Sequence, residues 1–256
     1  MARILITGSS DGIGQAAAKI LVDQGHKVTL HARNDDRAAS AHKAVPGAKG
    51  VLVGDISTIA GSKGFAKKAN DAGPWDAVVH NAGLGPSSSV FKTADGFAST
   101  FAVNSLAPYI LTSLMNKPKR LLYLSSGLHS GGDDSLRDVT WSNRSYESFQ
   151  AYNDSKFHDI LLANFVARRW TDVQSCSLDP GWVKTKMGGG GAPGTTDAPA
   201  KAIADFASGD RKISGEKTGQ YLGVGGPKSP KDSALDKAKQ DEFMKICEEL
   251  SGVKLP

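Results

Sequence analysis

Cysteine is scarce in this chain: Cys176 and Cys247 are the two in 256 residues, far apart and in no Cys-x-x-Cys spacing. That rules out a disulfide framework or a paired-thiol redox motif. Cys176, set in an apolar run, reads as a buried small hydrophobe. The six histidines fall in no metal-ligand spacing, so no metal is expected. No apolar run approaches the length that spans a bilayer, and the first residues read straight into a strand without a charged lead and apolar signal segment. A cytoplasmic location without a membrane partner is expected. Charge of one sign is lacking too. The formal net charge is +5, with basic residues scattered among acids, which argues against a nucleic-acid partner. The mildly basic surface suits an anionic small molecule.

What the chain does have is an alternation. Hydrophobic residues make up 39% and charged residues 22%, ordinary for a globular protein. A chain of this length forms one α/β domain that buries roughly three quarters of its unfolded surface. Short apolar runs at 4–7, 28–31, 51–53, 77–80, 121–125, 173–178 and 220–224 read as strands. Segments of helical period lie between them at 13–24, 37–44, 59–72, 96–116 and 152–170. Short continuous apolar strands separated by helices predict a parallel sheet covered on both faces. The right-handed crossover rule makes this a doubly wound Rossmann fold of about seven strands. It is read as a single domain, residues 1–256, with halves at about 1–120 and 121–256.

Two stretches interrupt the alternation. Residues 127–148 are polar and follow the C-terminal end of a strand; residues 188–199 hold four consecutive glycines, then Pro193, Gly194 and Pro199. Ligands of such sheets bind outside the strand C-termini, so both stretches fall where a substrate would sit. The second is expected to act as a lid.

The run Thr7-Gly8-Ser9-Ser10-Asp11-Gly12-Ile13-Gly14 ends the first strand and opens a helix. Gly8 permits a tight turn, and Gly12 and Gly14 allow close approach of backbone. The helix points its positive end at the turn. Such a turn cradles a dinucleotide pyrophosphate, here among Gly8, Ser10, Asp11, Gly12, Ile13 and Gly14. The second strand ends His31-Ala32-Arg33-Asn34. A carboxylate there would bind the ribose 2′-hydroxyl of NAD; Ala32 and Arg33 occupy the place instead, and a guanidinium suits a 2′-phosphate. The expected cofactor is NADP(H), with NAD(H) still open; Asp11, Asp35 and Asp36 work against the preference. Asp55, in Gly54-Asp55-Ile56, reads as a partner of the adenine amino group or as a turn aspartate. Asn81-Ala82-Gly83 lets backbone pack beside the cofactor ribose.

In Ala151-Tyr152-Asn153-Asp154-Ser155-Lys156 a tyrosine and a lysine stand one helical turn apart and can face one site. With the glycine turn, Asn81-Ala82-Gly83, Asn104, Ser125-Ser126 and Asp179-Pro180-Gly181 in this order, nearly the whole chain resembles the short-chain dehydrogenase/reductase family. Asp95-Gly96-Phe97 before Val103-Asn104, the run Ser126-Gly127-Leu128-His129, the long interval from Ser126 to Tyr152 and the tail 221–250 are similar to its retinol-dehydrogenase-like branch. The resemblance implies the catalytic residues Asn104, Ser126, Tyr152 and Lys156, with Ser125 as the alternative serine. Tyr152 would protonate a carbonyl oxygen or take the proton of an alcohol, and the Lys156 ammonium would favour its phenolate. Tyr152 and Lys156 also belong to the cofactor site, Lys156 on the nicotinamide ribose hydroxyls. Ser126 would bond the substrate oxygen, and Asn104 would hold a water that relays protons to Lys156. Pro180, Gly181, Val183 and Thr185 would border the nicotinamide amide and the phosphates. Trp182, Met187 and the glycine run would wall an apolar pocket. His129 reads as a substrate contact or as an exposed loop residue.

The expected function is NADP(H)-dependent interconversion of a carbonyl compound and its alcohol by hydride transfer. The alternative is a catalytically silent NADP(H)-binding sensor or scaffold. The substrate is a small molecule whose identity the fold does not set. By analogy with the family, a homodimer or homotetramer is expected, pairing through residues 96–116 and 152–170.

Overall fold

All seven apolar runs become strands. The computed structural model describes residues 1–86, 92–210 and 217–256. In it β1 (Arg3–Ile6), β2 (Lys27–Ala32), β3 (Gly50–Val53), β4 (Ala77–His80), β5 (Arg120–Leu124), β6 (Gln174–Asp179) and β7 (Tyr221–Gly223) run parallel, in the order β3-β2-β1-β4-β5-β6-β7. Strand order reverses about β1, whose Ile6 pairs with Leu30 of β2 and Val79 of β4. A ligand crevice opens at such a reversal.

Alternate side chains of the strands feed two cores. On one face α1 (Gly12–Asp23), α2 (Asp35–Ala44) and α7 (Asp197–Ser208) cover Ile4, Ile6, Leu30, Val79, Leu122 and Leu178. On the other face α3 (Ile59–Ala72), α5 (Ala107–Leu114), α6 (Ser148–Arg169) and α8 (Lys237–Ser251) cover Leu5, Val78, Leu121 and Tyr123. Gly14, Ala17, Ala18 and Leu21 form the buried stripe of α1, at the spacing of one helix face. Alanines on α7 let α1 pack closely on it. Cys176 is buried within β6, where burial pushes its thiol up to about 11.

Several elements differ from the sequence expectation. α7 takes residues 197–199 out of the second irregular stretch. Its Pro199 lies in the first turn, where a missing N–H leaves no bond unmade, and Gly209 ends it at φ +87°. β8 (Gly226–Lys228) adds an antiparallel edge on β7, and Pro227 is tolerated because the edge needs no further donor. α8 is capped by Asp236, whose carboxylate accepts from the Ala238 amide at 2.8 Å. The expected helix 96–116 divides into α4 (Ser99–Phe101), a π turn (Ala102–Leu106) and α5. α6 begins at Ser148, one turn before Tyr152. The polar stretch before it is cross-linked: Arg144 reaches Asp154 at 2.7 Å and lies 3.5 Å over the Trp141 ring. Beyond α8 the chain returns to the helices it covers. Tyr109 of α5 donates its hydroxyl to the Val253 carbonyl at 2.7 Å.

Candidate active site

A cleft of about 780 Å³ runs along the C-terminal ends of β1, β2, β4 and β5. At one end lies the glycine turn. Gly8 and Gly12 have φ of +61° and +59°, a region glycine enters without strain. A Cβ on Gly8 would lie 2.6 Å from the Ala82 Cα, and one on Gly14 2.4 Å from Asn81 Nδ2. Gly14 therefore makes room for Asn81 and stands off the lining. Asn81 Nδ2 donates to the carbonyls of Thr7 at 2.9 Å and Gly8 at 3.0 Å. His31 holds the turn from the other side: its Nδ1 accepts the Gly8 N–H at 2.9 Å, and its Nε2 donates to the Gly54 carbonyl at 2.8 Å. These two bonds require the neutral ring with its proton on Nε2, and burial keeps His31 below the ordinary imidazole range. Sequence patterns carry no signal for such a strand-end histidine.

Asp11 is the N-cap of α1, yet its carboxylate caps nothing. It turns instead to Arg37 at 3.3 Å and Lys186 at 3.2 Å, while Arg37 also donates to Ser10 Oγ at 3.2 Å. The first amides of α1 are left without a side-chain partner beside the cleft, the condition in which a helix start receives an anion. Arg33 and Arg37 both line this end. Arg37 was missing from the expected site. Asn34 accepts its amide at 3.0 Å and so starts α2 directly after β2. The exposed Asp55 lines the cleft with Ile56 and also closes a turn, accepting from the Ser57 amide at 2.9 Å. Unspent helix amides, two guanidiniums and a side-chain-free turn fit a phosphate-bearing dinucleotide.

Tyr152 and Lys156 line the opposite wall. Tyr152 is 9% and Lys156 5% exposed, with Nζ 5.7 Å from the tyrosine ring centroid. Nζ donates to the Leu124 carbonyl at 2.6 Å and to Asp159 Oδ2 at 2.8 Å. Burial opposes the charge of Lys156, but the Asp159 carboxylate outweighs it and holds the ammonium above its ordinary range. Burial pushes Asp159 up, with Lys156 pulling back.

Asn104 sits behind the cleft in the π turn, 1% exposed. Its Oδ1 accepts from the Leu84 amide at 2.7 Å, and its Nδ2 donates to the Leu84 carbonyl at 2.9 Å and Ser155 Oγ at 3.0 Å. The extra residue of a π turn, common at functional sites, places it between the loop after β4 and α6. Both of its amide hydrogens are given to protein partners. Of the two serines, Ser125 lines the cleft, but its hydroxyl donates to the Lys156 carbonyl at 2.7 Å. Ser126 is half-buried just beyond the lining, and its oxygen accepts from the Leu128 amide at 3.2 Å, leaving its proton to donate.

The far end is formed by Leu84, Pro86, Val103, Tyr146 and Met187. Tyr146, unmarked in the sequence, is set by a hydroxyl contact with Thr100 Oγ1 at 3.0 Å. Pro180 and Thr185 line the cleft, whereas the exposed Gly181 and the buried Val183 are not among its lining residues. Gly181 donates to Asp179 Oδ1 at 2.9 Å, and Val183 is buried in a bridge to Gly194. The glycine run folds back on the segment before it, with Trp182 Nε1 donating to the Gly188 carbonyl at 2.9 Å. Met187 lies so close over Gly85 that a side chain there would strike it. His129 fits neither of its readings. It is buried, donating from Nδ1 to the Ser126 carbonyl at 2.7 Å and accepting the Lys231 amide on Nε2 at 3.0 Å.

Fold and site together define a doubly wound, nucleotide-dependent oxidoreductase. The short chain dehydrogenase family model matches residues 2–120. An uncharacterized oxidoreductase of Emericella nidulans is 54% identical, over 100% of this chain and 99% of its own. The short-chain dehydrogenase chry4 of Gibberella zeae is 43% identical over the same shares. Human retinol dehydrogenase 14 is 31% identical over 72% of this chain and 62% of its own. A solved structure of an uncharacterized protein from Mycobacterium Paratuberculosis superposes with a TM-score of 0.85 at 23% identity, covering 100% of this chain and 95% of that one. The chain belongs to the short-chain dehydrogenase family, with retinol-dehydrogenase-like relatives, and is an NAD(P)-dependent oxidoreductase of CH–OH and C=O groups.

Proposed function

We propose that the protein is an NADP(H)-dependent carbonyl reductase or alcohol dehydrogenase of a small apolar substrate. The observation that carries this reading is one cleft with Tyr152 and Lys156 on one wall and an uncapped helix start flanked by Arg33 and Arg37 on the other. The amides of Gly12 and Ile13 would hold the pyrophosphate, and the two guanidiniums a 2′-phosphate. Asp11, the residue that argues for NAD in the sequence, is already paired with two cations. Its repulsion of a phosphate is thereby reduced.

A bound nicotinamide would exchange hydride with the carbonyl carbon. The Tyr152 hydroxyl would give the carbonyl oxygen its proton, or take it back from the alcohol. Ser126, the serine whose proton is unspent, would donate to the same oxygen and stabilise its growing charge. Lys156 places a cation beside the phenol. Asn104 acts through bonds to Leu84 and Ser155, and the Ser155 hydroxyl donates to the Tyr152 carbonyl at 2.8 Å. The apolar far wall would receive the body of the substrate.

The test is NADPH oxidation with a panel of aldehydes, ketones and quinones, beside Tyr152→Phe. Turnover that disappears in the variant while NADPH still binds supports the reading. Turnover that survives the substitution overturns it.

A further inference from the structure

Lys156 is more deeply engaged than a lysine facing only a ligand would be. Its ammonium is enclosed, with the Leu124 carbonyl at 2.6 Å and Asp159 Oδ2 at 2.8 Å. Asp159 is itself buried, at 3% side-chain exposure, one turn beyond Lys156 on α6. Among the described residues its carboxylate is paired and hydrogen-bonded with Lys156. A carboxylate without a hydrogen-bonding or cationic partner is unstable in such a place. The other titratable groups around the pair offer no substitute. Tyr152 on α6 faces Lys156. Tyr123 on β5 is within electrostatic reach of Asp159, and its hydroxyl is engaged by Thr112 at 2.8 Å. His80 on β4, also against Thr112, is kept neutral by burial, pushed down to about 3.

The geometry points to Asp159 as a positioning residue for the reaction: its carboxylate keeps the Lys156 side chain charged and docked at the end of β5, beside Tyr152. This rests on Tyr152 and Lys156 being the catalytic pair. The physical reason is that enclosure strongly disfavours a lone ammonium. A carbonyl oxygen alone is a weaker counterweight than a carboxylate at the same distance. The sequence pattern gives no hint of it, since an aspartate within a helix ordinarily reads as a solvated face.

The test uses the full chain with Asp159→Asn, Asp159→Glu and Tyr152→Phe. The first measurement is thermal unfolding against pH, which needs no substrate. Without the carboxylate the folded-state pKa of Lys156 falls below its unfolded value. Its stability contribution is then complete only above about pH 10.4 and is lost as pH falls. The melting gap between wild type and Asp159→Asn should therefore narrow from pH 7.5 to 10. A gap that stays constant overturns the proposal.

The second measurement is kcat/KM for 4-nitrobenzaldehyde with NADPH, and for 4-nitrobenzyl alcohol with NADP, across pH 6 to 9.5. In Asp159→Asn the alkaline limb of reduction should move to higher pH by about one unit or more, because an uncharged Lys156 no longer favours the Tyr152 phenolate. The acid limb of oxidation should move to higher pH, and Asp159→Glu should restore both limbs. An equal loss at every pH would mean a structural role only and overturn the proposal. An oxidation limb that moves to lower pH would also overturn it, because Lys156 would then hold its charge unaided. Turnover that persists in Tyr152→Phe would sink the catalytic reading itself, a result separable from any behaviour of the Asp159 variants.

Discussion

At the glycine-turn end the cleft is made of backbone: the Gly8 and Gly12 turn, the start of α1 and the Asn81-Ala82-Gly83 segment, tied together by Asn81 and His31. At the opposite end it is made of side chains, Leu84, Val103, Tyr146 and Met187, carried on connecting segments and on the π turn. The difference teaches where change can be absorbed. At Gly8 the cradle tolerates almost no added atom, because its partner there, the Ala82 backbone, is main chain and cannot rotate away. A wall of side chains can be exchanged one residue at a time, so it is the end at which related chains can diverge in substrate. Between the two ends stand Tyr152 and Lys156, which serve both.

The comparison can be broken first at that junction. Tyr152→Phe should lower kcat/KM by about 10²–10⁴-fold and leave NADPH affinity nearly unchanged, as read by steady-state kinetics and fluorescence titration. Gly8→Ala attacks the cradle itself. Its new methyl meets the Ala82 backbone at 2.6 Å and its φ is +61°, so a loss of roughly 1–3 kcal/mol in stability with collapse of NADPH binding is expected in melts and titrations. Arg37→Ala should reduce the preference for NADPH over NADH by roughly tenfold or more, read as the ratio of the two kcat/KM values, because it removes a guanidinium and leaves Asp11 with Lys186 as its cation.

Acid should act on the backbone end before the side-chain end. His31 has a folded pKa below its unfolded value, so its contribution is complete above about pH 6.5 and is lost as pH falls through the folded pKa. A protonated ring can no longer accept the Gly8 N–H, and NADPH affinity should weaken as pH falls below about 6.5 while the far wall is unaffected. Lys186→Ala is the smallest perturbation. Its ion pair with Asp11 is largely exposed, so NADPH affinity should change by no more than about twofold, with the residual salt dependence reduced.

Much of this architecture was legible before any coordinates. The strands are continuous apolar runs, which the two-faced burial of a parallel sheet demands. The glycine turn and the tyrosine–lysine spacing are local patterns, and local patterns survive in a linear reading. What escaped was tertiary. Pro199 and the preceding glycines disguised α7 as loop, and Pro227 disguised β8. Arg37 reaches the turn only because Asn34 starts α2 at that point. Asp159 is buried by α6 packing, not by any feature of its neighbours in sequence. The two serines differ in a way no linear reading shows, since Ser125 gives its proton to the Lys156 carbonyl. Gly14 and Val183 lie in the expected motifs yet are buried outside the lining, and Gly181 is exposed outside it.

The bond from the Tyr109 hydroxyl to the Val253 carbonyl spans 144 residues of sequence. Seen from a ribosome, α5 emerges long before its partner exists. At roughly 5–20 residues per second the wait is on the order of ten seconds. During that interval the nascent chain can build the first strands and the glycine turn, but α5 and α6 show an uncovered apolar flank. The helix that carries Tyr152 acquires its permanent neighbour, α8, only once residues 237–251 have been made. The newborn chain is therefore open to chaperones and to misassociation on that flank until α8 covers it.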